Sequence, residues 1–171
     1  RPLTSLLIST GFLLVGHGMQ LTLLPLRASQ LGHSDSQVAL SGSAYFAGFI
    51  IGCLLAPPLI ARVGHIRSFA VLASAMTSTL LIVSLTDQWS IWLGLRFLVG
   101  LMICGLYTVI ESWLNDQANE GNRGQILTIY TFLVLVAMAA GQQLVALTPV
   151  PADAPFIVLA ALISLSVIPV S

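Results

Sequence analysis

No lysine occurs anywhere in the chain, and acidic and basic side chains together make up only 7% of its 171 residues. A soluble domain carries about 25% charged residues, so a water-facing surface of the usual kind cannot be built from this composition. The six basic residues are all arginines and are matched by six acidic ones, for a formal net charge of zero. The basic surplus that nucleic-acid binding draws on is missing, and no affinity for nucleic acid is expected. Cysteine is equally scarce. Cys53 and Cys104 lie inside apolar runs, with neither zinc-ligand spacing nor a disulfide framework, and read as small buried hydrophobes. Paired aspartates and H-E-x-x-H are absent too, so the sequence offers no metal site, no cofactor motif and no hydrolase centre. Ser41 and Ser43 are the nearest thing to a nucleophile for His17, but hydroxyls in membrane helices more often bond their own backbone. An enzyme is not expected.

What is present is hydrophobic: 57% of residues. A bilayer core about 30 Å thick takes about 20 helical residues to cross, and six runs of roughly that scale appear, at residues 3–26, 37–60, 68–86, 91–114, 124–147 and 155–171. Unpaired backbone groups are not tolerated in lipid, and no run alternates as a membrane barrel strand would. The fold class is therefore all-α, a polytopic bundle of six transmembrane helices. Ser34, Asp35 or Ser36 is placed to cap the second helix. Connections on one side of the membrane hold only Arg27, whereas Arg1, Arg62, Arg67 and Arg123 fall on the other, beside His65. The positive-inside rule makes that second side cytoplasmic, with both chain ends on it. Trp89, Trp92 and Trp113 fall near run boundaries, as interfacial anchors do. The chain starts with arginine, its last run has no polar flank, and no cleavable signal peptide is evident; it reads as a fragment.

Small residues recur every four positions in the second run, at Ala44, Gly48, Gly52 and Ala56, which gives one helix face a smooth stripe for close packing. Pro57 and Pro58 close the stripe and predict a bend or fray before the segment Arg62 to Arg67, where Gly64 permits a tight reversal. Ionisable groups within the hydrocarbon are functional candidates by default, and here they are His17, Arg96 and, near an edge, Glu111. At about 1.5 Å per residue, His17 lies about 21 Å from the cytoplasmic start of its helix and Arg96 about 8 Å from the outer start of the fourth. Both fall in the outer half. Arg96, Gly100, Tyr107 and Glu111 share about 60° of arc on the fourth helix, and His17 shares a face with Gln20, with Thr10 two turns below. Gln142 and Gln143 are interhelical hydrogen-bond donors or cavity ligands. Glu111 lies level with Arg62, Arg67 and Arg123, which predicts a cytoplasmic ion-pair cluster.

The segment Arg62-Val63-Gly64-His65-Ile66-Arg67, followed by Arg96 to Gly100 and by Arg123-Gly124, resembles the N-terminal half of a major facilitator superfamily transporter. That superfamily's loop pattern G-x-x-x-D-R-x-G-R-R is kept at Arg62 and Gly64 but has Pro57 at its first glycine, Ala61 at its aspartate, and His65 and Ile66 at its basic pair. The helix-four pattern R-x-x-x-G is kept at Arg96 and Gly100. With GHIRSF, ESWLN (Glu111 to Asn115), NRG and IY, the chain resembles the YcaD-like bacterial branch. The resemblance implies a half-bundle built from 3+3 inverted repeats, a missing second six-helix half, and an inner-membrane protein with a cytoplasmic N-terminus. It also implies alternating-access transport of a small solute, with helices one and four beside the cavity. His17, Gln20, Arg96 and Tyr107 are then the cavity candidates, Arg96 for an anionic group. Arg62, Gly64, Arg67, Glu111 and Arg123 form a cytoplasmic gate, and Gly48, Gly52 and Gly100 serve packing. No carboxylate lies at the membrane centre, so His17 is the group in this chain open to proton coupling. A membrane-embedded binding or sensor module would use the same residues without transport.

Overall fold

The computed structural model describes residues 2–148 and 153–170; Arg1 and Ser171 lie outside that range. Among the described residues six helices follow one another: α1 (Pro2–Gln30), α2 (Asp35–Val63), α3 (His65–Leu85), α4 (Trp89–Gln117), α5 (Arg123–Leu147) and α6 (Ala154–Leu165), then a short 3₁₀ turn at Ile168–Val170. No strand occurs among the described residues. Helices α1 to α5 are each long and apolar enough to cross a membrane, while α6 is shorter.

Most helices outrun the apolar runs that predict them, because backbone pairing continues until a cap or turn stops it. At the start of α2 the stop is Ser34, whose Oγ accepts the Gln37 N–H at 3.3 Å while Gln37 Oε1 accepts the Ser34 N–H at 2.9 Å. This reciprocal box satisfies two donors that would otherwise be orphaned. At the other end α2 runs through Pro57 and Pro58 to Val63 rather than ending at them. The prolines delete the N–H groups that would reach the carbonyls of Cys53 and Leu54, so this last part is held by fewer bonds. The whole α2–α3 connection is then one residue. Gly64, at φ 83°, reverses the chain, in a region where a side chain would be strained.

Packing divides the bundle into two tight pairs. α2 lies along α4 and α1 along α5, whereas α1 meets α2 and α4 only lightly; α3 and α6 pack against α4 and α1 respectively and against each other. Each tight pair is a reciprocal clasp. Gly48 of α2 lies against the Phe97 carbonyl of α4, and Gly100 of α4 against the Tyr45 carbonyl of α2. The same arrangement recurs with Gly141 of α5 on the Val15 carbonyl of α1, and Gly18 of α1 on that of Met138 of α5. On each helix the glycine follows the facing residue by three positions. Gly52 extends the first clasp onto Leu101. Apolar side chains are plentiful outside as well as inside: Phe46, Ile50 and Leu54 on α2 and Phe132 and Leu135 on α5 are exposed. A lipid-facing bundle has this distribution, since its surroundings are as apolar as its core.

Two sequence expectations are corrected. Cys53 and Cys104 are joined as a disulfide across the α2–α4 clasp, with Cα atoms 5.8 Å apart, instead of sitting as separate apolar fillers. Their separation of 51 residues carried no signal, because helix packing rather than spacing brings them together. Trp92 is fully buried, its Nε1 donating to the Thr86 carbonyl at 2.9 Å, so it fastens the α3–α4 connection rather than facing the interface.

The clasps make a direct test available. A methyl group at Gly48, Gly100 or Gly141 would overlap a backbone carbonyl that cannot swing away, whereas one at Gly42 or Gly94 meets nothing within 4 Å. Alanine at any of the first three is expected to destabilise the detergent-solubilised full-length protein by about 1–3 kcal/mol. Alanine at Gly42 or Gly94 should leave thermal unfolding unchanged or slightly raised.

Candidate functional site

Between the two clasped pairs runs a seam where backbones stay apart and polar side chains bridge the gap. His17 comes from the middle of α1, Tyr45 from α2 and Tyr107 from α4. His17 Nδ1 lies 3.0 Å from the Tyr107 hydroxyl and Nε2 3.2 Å from that of Tyr45. The Tyr107 hydroxyl donates to Met138 Sδ of α5 at 3.8 Å. With its one hydrogen committed there, Tyr107 accepts from His17 Nδ1–H, which leaves Nε2 to accept from Tyr45. A neutral, Nδ1-protonated imidazole fits this polarity throughout.

Toward the start of α4 lies Arg96, only 4% exposed. Its Nε donates to Ser41 Oγ of α2 at 3.1 Å and its Nη1 to Gln20 Oε1 of α1 at 3.3 Å. The guanidinium carbon stands 4.9 Å from the centre of the Tyr45 ring, within cation–π range. Gln20 is fully buried, and its Nε2 has no partner. Such an orphaned donor ordinarily costs about 1–3 kcal/mol. No carboxylate pairs with Arg96 among the described residues, whose ion pairs are Arg27–Asp87 at 3.9 Å and His65–Asp116 at 3.8 Å.

The sequence-derived cavity residues His17, Gln20, Arg96 and Tyr107 thus fall in two hydrogen-bonded groups that meet at Tyr45, closed within the bundle in this conformation. Glu111 sits further along α4, exposed, accepting from the Tyr130 hydroxyl of α5 at 3.2 Å. Arg62, Arg67 and Arg123 are exposed and none is ion-paired with it here. The α2–α3 turn instead meets the end of α4 through His65, which reaches Ser112 Oγ at 3.0 Å, pairs with Asp116 and stacks on Trp113. Gln142 and Gln143 are exposed, and Thr10 is buried with its hydroxyl unpartnered.

Sequence reasoning passed over Tyr45, Tyr130 and Met138. A signal existed for the first two: a phenol in a lipid-crossing run must find a partner for its hydroxyl, and all three tyrosines of the chain bond within the seam. Met138 gives no such cue. Ser41, weighed as a partner of His17, serves Arg96, and Ser43 bonds its own backbone at the Ala39 carbonyl, 3.3 Å away. Removing the Tyr45 hydroxyl should therefore unpair His17 Nε2. Tyr45→Phe is expected to lower stability by about 1–2 kcal/mol, read by thermal unfolding of the full-length protein, with Ser43→Ala near neutral.

Comparison with known proteins agrees with these features. The Major Facilitator Superfamily profile matches residues 6–170. An "Uncharacterized MFS-type transporter" of Yersinia pestis (strain Pestoides F) is 32% identical over 147 residues, covering 84% of this chain and 38% of that protein. The "Uncharacterized MFS-type transporter YcaD" of Escherichia coli O45:K1 (strain S88 / ExPEC) is 31% identical over 145 residues, covering 85% of this chain and 38% of its own length. The chain thus spans less than two fifths of the length of these relatives. A match over nearly its whole length, on a bundle of membrane-crossing helices, makes this multi-pass membrane protein a member of the Major Facilitator Superfamily.

Proposed function

We propose that the chain is the N-terminal six-helix half of a secondary transporter, moving a small solute across a bacterial inner membrane by alternating access. The observation that carries the reading is the buried imidazole and guanidinium, held by side chains from α1, α2, α4 and α5 in an otherwise apolar bundle. Polar groups at such depth oppose stability and are retained for passage of solute or ions. The relatives' names, as MFS-type transporters, support the same class. The recurrence of one glycine clasp on α2–α4 and α1–α5 supports 3+3 inverted repeats, in which two similar units rock about a site between them.

In this reading His17, Gln20, Arg96 and Tyr107 face the solute once the seam opens toward the second half. Glu111 exchanges Tyr130 for Arg62, Arg67 or Arg123 in the opposite conformation, with the N-terminus cytoplasmic. Arg96→Ala in the full-length protein is expected to abolish uptake into proteoliposomes at normal expression; undiminished uptake would remove Arg96 from the site. Proton coupling, where it runs through this half, uses His17. Uptake should then vary between about pH 5 and 8, and His17→Asn should flatten the profile. A wild-type profile already flat across that window excludes the role.

A further inference from the structure

Two irregularities in the seam have the same sign and lie side by side. The first is Arg96, a cation withdrawn from water whose named partners are all neutral: the Ser41 hydroxyl, the Gln20 carbonyl oxygen and the Tyr45 ring. The second is Gln20 Nε2, buried with no acceptor. The amide cannot turn over to relieve it, because its NH₂ would then face the guanidinium and the Arg96 Nη1 bond would be lost. Oε1 and Nε2 share one carbon, so the orphaned donor sits next to the guanidinium edge. The site therefore has unspent N–H donors, one unneutralised positive charge and no acceptor for either.

We propose that Arg96 and the Gln20 amide form a subsite for a small monoanionic carboxylate, and that this group is the part of the transported solute held by the N-terminal half. The assignment of the carboxylate to a transported solute rests on the transporter reading; the binding itself does not. One guanidinium neutralises one negative charge, and a planar carboxylate offers two oxygens, one for the guanidinium and one for the amide. Phosphate, mostly doubly charged at about pH 8, would leave excess negative charge that one guanidinium does not neutralise. A neutral polyol or amide would leave Arg96 as uncompensated as before. Ser41 and Tyr45 hold the guanidinium in place, so the donors are ordered before the anion arrives.

The test uses purified full-length protein at about pH 8, where phosphate is mostly doubly charged, and three probes, propanoate, propanamide and inorganic phosphate, each titrated while thermal unfolding is followed. Propanoate should raise the unfolding temperature and the other two should not. Equal shifts with propanoate and propanamide, or none with propanoate, would overturn the subsite. Gln20→Glu tethers a carboxylate beside Arg96; it should raise the unfolding temperature without ligand and abolish the response to propanoate, and a full response retained would sink the proposal. Gln20→Met, which keeps volume and removes the donor, should weaken propanoate binding about ten-fold; unchanged affinity removes Gln20 from the site. Labelled propanoate in proteoliposomes separates the two claims. A specific thermal shift without uptake leaves the subsite and removes its role in a transported solute, while uptake that does not discriminate propanoate from propanamide leaves transport and removes the subsite.

Discussion

The close approach of backbones at Gly48, Gly100, Gly18 and Gly141 governs the rest of the bundle. Lipid tails are as apolar as leucine, so burying side chains against one another gains little in a membrane, and dense backbone contact takes over as the source of helix association. Where α2 meets α4 and α1 meets α5, glycine allows carbonyls to approach positions a Cβ would fill. Because those two interfaces are so close, the one between the pairs is wide. Only long side chains reach across it.

That width explains the seam's composition. Tyrosine, arginine, histidine and glutamine are long enough to span a gap, and each brings a hydrogen-bonding end that must be satisfied once it has left water. The Tyr45–His17–Tyr107–Met138 chain meets this demand in full, with one donor for each acceptor. The Arg96–Gln20 corner does not, and keeps an unpartnered amide donor beside an unneutralised charge. One bundle thus contains a completed network that holds the pairs together and an incomplete one poised for an acceptor.

At the α2–α3 turn Ala61 offers no carboxylate, and the ties to α4 come from another residue of the turn. His65 takes the connecting role, reaching Ser112 and Asp116 and stacking on Trp113, so this turn is tied to α4 within the same bundle. Arg62 and Arg67 are left exposed on either side of Gly64. Arg67 lines one pocket with Trp113 near the end of α4.

Run length and the scarcity of charge were enough to specify the membrane, the helix class and approximate positions of the spans, since backbone pairing in lipid admits few alternatives. Periodicity in α2 marked Gly48 and Gly52 as a packing face, and the rarity of intramembrane ionisable groups singled out His17 and Arg96. Those are local properties. Which helices clasp, and hence that Cys53 meets Cys104, that Trp92 turns inward, and that Tyr45 stands between His17 and Arg96, depends on contacts between residues far apart in the chain. No periodicity encodes such pairings; they follow only when the helices are packed and each polar group takes the partner within its reach.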